Sequence, residues 1–251
     1  MPGPKNVAIS NRQLAALPQK DYQQLLAYLK PVELEFGDIL YEAGDQIRYV
    51  YFPEDCLVSL LTAVDANRAA EVGLVGSEGM IGVPVALGIF VSPFLAVVQG
   101  AGTALRMKTV DFRREFGKSA ALQGALFRFT HLLMIQVAQT AACNRFHVVT
   151  QRLARWLLMT RDRVHANEFL LTQEFLGRML GVRRVGVTAA ASALQKLKLI
   201  SYSRGNITII DPAGLEAAAC GCYETVNSLY AKAKRSGSKS DSRLKITISK
   251  K

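Results

Sequence analysis

Between Leu171 and Leu194 a helical rhythm of apolar residues breaks once, and that break constrains the chain more than any other feature. Thr172 is placed to cap a helix whose apolar positions are Phe175, Leu176, Met179 and Leu180. Gly181 follows the last of them, where a residue tolerant of positive φ ends a helix cheaply. Val182 then turns inward, and a second helix starts near Arg183 or Arg184. On it Val187, Ala191 and Leu194 face a core, which leaves Arg184, Val185, Thr188 and Ala189 turned outward. Gly177, Ala190 and Ala191 are small enough for two helices to cross closely, at roughly 90–120°. This is the pattern of a helix-turn-helix, whose second helix fits the major groove of duplex DNA. An amphipathic helical hairpin with no nucleic-acid partner has the same pattern, so the flanks must decide.

Straight after the second helix come Ile200-Ser201-Tyr202 and Ile207-Thr208-Ile209-Ile210, both β-prone, separated by Arg204-Gly205-Asn206. A hairpin joined directly to a recognition helix is a wing. Arg204 and the amides of Gly205 and Asn206 are then phosphate-contact candidates. The candidate DNA-binding set is Thr172, Gln173, Arg183, Arg184, Val185, Thr188, Ser192, Arg204 and Asn206. Charge supports the same half of the chain. Residues 1–141 carry 12 basic and 13 acidic side chains, residues 142–204 carry 11 and 3, and residues 232–251 carry 8 and 1. Positive charge thus gathers in the expected binding segment and in a tail, as a phosphate-binding surface requires.

Half of the 251 residues are hydrophobic, enough for one large core or two moderate ones. No run approaches the eighteen or so apolar residues of a membrane span. Met1-Pro2-Gly3-Pro4-Lys5-Asn6 shows no secretion signal, and four sparse cysteines suit a reducing compartment, so a cytoplasmic location is expected. Cys220-Gly221-Cys222 has the spacing of a metal or redox pair. With no other clustered ligands beside it in the sequence, it reads as two ordinary thiols, and no metal or cofactor is expected.

Residues 11–30 read as an entry helix capped by Asn11, with a possible break at Pro18. From Val32 to about Met107 the pattern changes to short runs split by turn residues: Val32–Phe36, Ile39–Tyr41, Tyr49–Phe52, Leu57–Leu61, Ala70–Val75 and Ala96–Val98. Strands at that spacing indicate an antiparallel barrel or jelly roll. A short helix is expected over 110–115 and a long one from Lys118 to about Asn144. Leu122, Leu126, Phe129, Leu133 and Gln136 recur on the long helix at alternating spacings of four and three, the seam of a coiled-coil dimer. A further helix over 147–164 carries Arg152, Arg155, Arg161 and Arg163 as basic outer positions. The expected class is therefore α+β. It comprises an N-terminal antiparallel jelly roll (11–117), a long dimerisation helix (118–146), a C-terminal winged helix-turn-helix (147–222) and a basic, disordered tail (232–251).

This order resembles the Crp/Fnr family of bacterial transcription regulators over roughly residues 14–212. Thr172-Gln173-Glu174, Gly177, Gly181, Arg184, Val187 and Leu199-Ile200 sit as the family has them. Phe36-Gly37-Asp38 with Glu42-Ala43-Gly44-Asp45, and Gly79-Met80-Ile81-Gly82, resemble its early turns and its glycine-rich ligand cassette. The resemblance implies a homodimer on an inverted repeat, with duplex DNA and RNA polymerase as partners and a small-molecule effector. It places the effector pocket at Gly79, Gly82, Val83 and Ser92. Val83 stands where cyclic-nucleotide members use a carboxylate, and Ser92 where they use an arginine. A buried cyclic phosphate needs charge-assisted donors, so the pocket is degenerate, cyclic AMP is not its ligand, and the effector is unidentified. Glu78 could supply a carboxylate in another register. Enzyme readings are weaker: His131, His147 and His165 all follow the barrel, and no nucleophile triad or paired carboxylates are evident. The alternative is a ligand-binding or oligomerisation module of this fold that has no DNA-binding activity.

Overall fold

The computed structural model of the chain describes residues 10–65 and 68–237. Two short helices, α1 (Arg12–Ala15) and α2 (Gln19–Leu26), lead into β1 (Lys30–Leu34), β2 (Ile39–Tyr41), β3 (Tyr49–Pro53), β4 (Leu57–Asp65) and β5 (Arg68–Val75). A one-turn helix, α3 (Val83–Ala86), precedes β6 (Leu95–Gly100) and β7 (Gly102–Lys108). Helices α4 (Thr109–Phe116), α5 (Ala120–Phe146) and α6 (Val149–Val164) follow. Then come β8 (Glu168–Leu170), α7 (Gln173–Leu180), α8 (Arg184–Lys196), β9 (Ile200–Ser203) and β10 (Asn206–Ile209). The last described elements are α9 (Pro212–Ala218) and α10 (Cys222–Gly237).

Pro18 splits the entry helix, since its ring cannot continue α1 and its extended backbone starts α2. Asn11 caps α1 through its Oδ1 and fastens it to the strands through Nδ2, which donates to the carbonyls of Pro53 and Gly79. The seven strands that follow form two antiparallel sheets, ordered β1-β7-β3 and β2-β6-β4-β5. The apolar run Leu57-Val58-Ser59-Leu60-Leu61 is explained by the four-stranded sheet being covered on both faces. Val58, Leu60 and Val75 point into the roll with α1, α2, α4 and α5. Leu57, Leu61 and Leu74 point the other way, into a second core with α6, α7, α8 and the wing. A third sheet, β8-β10-β9, makes the wing three-stranded. Its first strand, Glu168-Phe169-Leu170, carried no sequence signal strong enough to name. Among the described residues no helix is long and apolar enough to cross a membrane.

Three expectations are corrected. Leu122, Leu126, Phe129, Leu133 and Gln136, the expected dimer seam, are all buried against this chain's own roll. The same four-and-three rhythm recurs on the opposite face of α5 as Phe127, His131, Met134, Ala138 and Ala141, and these are exposed, Phe127 at 50 % and Met134 at 66 %. Because both faces of α5 are apolar, periodicity alone could not tell which one meets the roll. Secondly, Arg152, Arg155 and Arg163 on α6 are not outer positions: Arg152 and Arg155 are buried, and Arg163 is committed to an interior ion pair. Thirdly, α10 carries helix as far as Gly237, into the segment expected to be a disordered tail. The rest of that tail, 238–251, lies outside the described residues.

The second core encloses a polar network. Gln99 donates from Nε2 to Thr160 Oγ1 at 3.0 Å and presents its oxygen to Ser59 Oγ at 2.6 Å. The Ser59 hydroxyl is shared with Glu71, to whose Oε2 it donates at 2.7 Å. Glu71 also accepts from Trp156 Nε1 at 3.1 Å. Burial nevertheless pushes its carboxyl from 4.5 up to about 7, against the two hydrogen bonds it accepts. An acid with a raised folded pKa contributes fully below its unfolded value and loses that contribution as pH rises through the folded one. Glu71→Gln keeps the donor and the acceptor. The variant is therefore expected to show level stability where the parent declines between about pH 4.5 and 7. Above that range it should exceed the parent by up to about 3 kcal/mol, as read by urea unfolding across pH. Parallel pH profiles for the two proteins would show that burial does not raise the Glu71 carboxyl.

Candidate nucleic-acid interface

Local chemistry sets the two helices of the turn. Thr172 Oγ1 accepts from the Phe175 amide and starts α7. Gly181, at φ +61°, ends it with its amide bonded back to Arg178 and Gly177. A Cβ at Gly177 would lie 3.0 Å from the Val182 carbonyl, so the small residue allows the turn to close onto α7. Leu176, Met179 and Leu180 of α7 and Val187, Ala190, Ala191 and Leu194 of α8 are buried together. Arg183, Arg184, Val185, Thr188, Ala189 and Ser192 remain exposed, Val185 at 73 %.

Gln173 does more than face outward. Its Oε1 accepts from Arg184 Nε at 3.1 Å and from Thr188 Oγ1 at 3.0 Å, so the first residue of α7 fixes two side chains on the open face of α8. An Arg184 held by its Nε loses less rotamer freedom when its guanidinium plane engages a ligand.

The wing is joined to the same surface. Arg204 and Gly205 form the two-residue loop between β9 and β10, with φ of +49° and +85°. Two successive positive φ values are those of a type I′ hairpin turn, which favours Asn-Gly. Arginine is an expensive residue there, and strained residues cluster at functional positions. Tyr202 donates its hydroxyl to the Leu171 carbonyl at 2.9 Å, and the Leu171 amide donates to Gly205 at 2.6 Å, tying the wing to the start of α7. An open trough of about 410 Å³ runs between them, lined by Thr172, Gln173, Arg184, Thr188, Ser192 and Arg204 among others. Arg183, Val185 and Asn206 are exposed but do not line it.

Residues 151–218 match the model of the Crp-like helix-turn-helix domain. Over about three quarters of its length the chain has the fold of solved CRP-family regulators. It is similar to FixK2 from Bradyrhizobium japonicum, with a TM-score of 0.65 and 14 % identity over 76 % of this chain and 98 % of that one. It is also similar to the c-di-GMP-responsive global regulator CLP of Xanthomonas campestris (TM-score 0.64, 15 % identity, 76 % and 99 % covered). A CRP-family transcriptional regulator of Thermus thermophilus matches similarly (0.64, 18 %, 75 % and 96 %). No curated protein matches the chain by sequence.

Inside the roll, the four effector-pocket candidates pack against or bond to the chain's own residues. A Cβ at Gly79 would fall 2.1 Å from Phe129 Cζ, so the α5 ring fills the space beside it. Gly82, at φ +95°, caps α3, and Val83 is buried in that helix's first turn. Ser92 is buried, its hydroxyl donating to the Phe94 carbonyl and accepting from the Phe94 amide. Glu78 pairs with Arg163 at 2.7 Å. Sequence reasoning missed this pair, which joins residues 85 apart. It also treated Cys220-Gly221-Cys222 as isolated. The fold corrects that by bringing Cys143 and His147 beside them, all four ligand atoms lying within 4.8 Å of one another.

Proposed function

We propose that the chain is a sequence-specific, DNA-binding transcription regulator that acts as a homodimer on an inverted-repeat operator. The observation that supports this most is the open face of α8, with Arg184 anchored by Gln173 and continuous through a trough with Arg204 of the wing. In this reading α8 lies in the major groove. Arg184 bonds guanine O6 and N7, and Val185 or Thr188 meets a thymine methyl. Arg204 and Asn206 contact the phosphates beside it, which positions without specifying. The division of labour is a roll over 11–117, a dimer helix over 118–146 and a reading unit over 147–222. No cyclic nucleotide is assigned to the roll, since Val83 and Ser92 offer neither a carboxylate nor a guanidinium.

The exposed stripe Phe127, His131, Met134, Ala138 and Ala141 is the assigned dimer surface, replacing the buried seam expected from sequence. Two-fold pairing of α5 presents two α8 helices to one face of the duplex, with half-sites about one helical turn apart. Met134→Glu places like charges across that axis and is expected to convert the dimer to monomer in analytical ultracentrifugation while leaving the circular dichroism spectrum unchanged. A variant that stays dimeric would remove the stripe from the account.

Selection from a random duplex library should return an inverted repeat. On that duplex Arg184→Ala is expected to weaken binding by about 1–3 kcal/mol and to relax one base position per half-site, with a much smaller loss on random duplex at the same salt. Equal losses on both duplexes in an anisotropy titration would contradict base reading by Arg184.

A further inference from the structure

We propose that Cys143, His147, Cys220 and Cys222 form a mononuclear zinc site that fastens the end of α5 to the segment between α9 and α10. Three thiols and one imidazole are a donor set of structural zinc sites, which are closed and tetrahedral. Two separate stretches supply them. Cys143 lies in the last turn of α5 and His147 is its C-cap, while Cys220 and Cys222 bracket the start of α10. The Cys143 and Cys220 sulfurs are 3.4 Å apart, and Cys222 Sγ is 3.5 Å from His147 Nδ1. Metal bonds of about 2.3 Å to sulfur and 2.0–2.1 Å to nitrogen give tetrahedral edges of about 3.8 Å between sulfurs and 3.6 Å from sulfur to nitrogen. The side chains therefore stand close to the required spacing. The set is too compact to enclose a polynuclear iron–sulfur cluster, whose cysteines bind different irons. A disulfide between Cys143 and Cys220, with a bond near 2.05 Å, would leave His147 and Cys222 without a purpose.

The surroundings fit the charge of such a site. Three thiolates, one neutral imidazole and Zn²⁺ sum to −1, with the thiol protons released to solvent. Gln139 Nε2 lies 3.0 Å from Cys222 Sγ, the outer hydrogen bond that a metal thiolate attracts. Buried Arg155, bonded to Thr140 one turn before Cys143, lies close enough to act on the Cys143 charge, and Arg152 feels both Cys143 and Cys220. Neither arginine makes an ion pair with a carboxylate among the described residues, and the Nε of each lacks a hydrogen-bond partner. Arg155 also acts on the Glu71 carboxyl, and a net anion at the cysteine cluster adds to that counter-charge. The site sits where the long helix hands over to the Crp-like domain, so the metal would set the seating of α9 and α10 on that hinge.

The test is metal analysis of the full chain purified under reducing conditions, with a Co²⁺ titration of the metal-free protein. About one zinc per chain is expected, together with the visible bands of tetrahedral Co²⁺–thiolate. In Cys220→Ser/Cys222→Ser the zinc content should fall at least tenfold and the cobalt bands should vanish. The wild-type cobalt spectrum reads the site even if that variant folds poorly. Absence of both zinc and cobalt bands in the wild type overturns the proposal. So does metal content unchanged in the variant, iron with acid-labile sulfide, or a native Cys143–Cys220 disulfide. None of these readouts depends on DNA.

Discussion

Replacing Arg163 by methionine is expected to lower unfolding free energy by about 3–5 kcal/mol, among the largest effects of any single side chain outside the apolar cores. The Arg163 and Glu78 side chains are only 8 % and 9 % exposed, with Nε and Oε1 2.7 Å apart. Arg163 also donates from Nη1 to the Met159 carbonyl and from Nη2 to Gln136 Oε1. Gln136 in turn donates to the Leu74 carbonyl of β5. One guanidinium thus joins the loop after β5, the long helix α5 and α6. Methionine retains most of the apolar stem but leaves the Glu78 carboxylate buried without a counter-charge, which is the costly part. The double variant Arg163→Met/Glu78→Gln removes that charge and should recover a large share of the loss. Chemical denaturation of the parent, single and double variants measures this. A single variant within about 1 kcal/mol of the parent would show the pair to be hydrated and unimportant.

A comparably large loss, about 3 kcal/mol, is expected for Gly79→Ala. The added Cβ meets Phe129 Cζ at 2.1 Å, Phe129 Cε2 at 2.4 Å and Val75 Cγ1 at 2.7 Å. Phe129 is among the largest fully buried side chains, so its ring cannot swing into solvent to relieve the overlap. The clash must instead push α5 away from the roll. Phe129→Leu shortens the ring side chain and should be strongly non-additive with Gly79→Ala, with coupling of about 0.5–3 kcal/mol. Additive losses in the double-mutant cycle would mean that Gly79 and Phe129 do not share the space the structure gives them.

What was legible in the sequence was local. Thr172, Gly181 and the apolar spacing between them specify the turn by capping and backbone chemistry alone, and α7 and α8 form where that spacing places them. The β9–β10 hairpin of the wing was equally readable from Arg204-Gly205 between two β-prone runs, whereas β8 was not. Signals shared by two faces were not. The α5 helix carries the same seven-residue rhythm on both sides, and only the roll's need for Leu122, Leu126 and Phe129 assigns them inward. Arginines on α6 were placed outside because charge is usually exposed, whereas Arg163 finds Glu78, Arg152 finds the Leu180 carbonyl and Arg155 finds Thr140, partners that exist only in the folded chain. Cys143 and Cys220 lie 77 residues apart, and no spacing rule joins C-x₃-H to C-x-C over that distance. Glu78 was weighed only as a pocket carboxylate and Glu71 was not singled out, because Arg163 and Trp156, which meet them, are contributed by the distant α6.

Placement of α8 in the major groove is tested most directly by dimethyl sulfate protection on the selected duplex. With the native chain, one guanine N7 per half-site should be shielded, symmetrically about the two-fold axis, and the same guanine should regain reactivity with Arg184→Ala at saturating protein. Protection that persists unchanged in the variant, or that falls only on minor-groove positions, would contradict the placement of α8 and with it the proposed function.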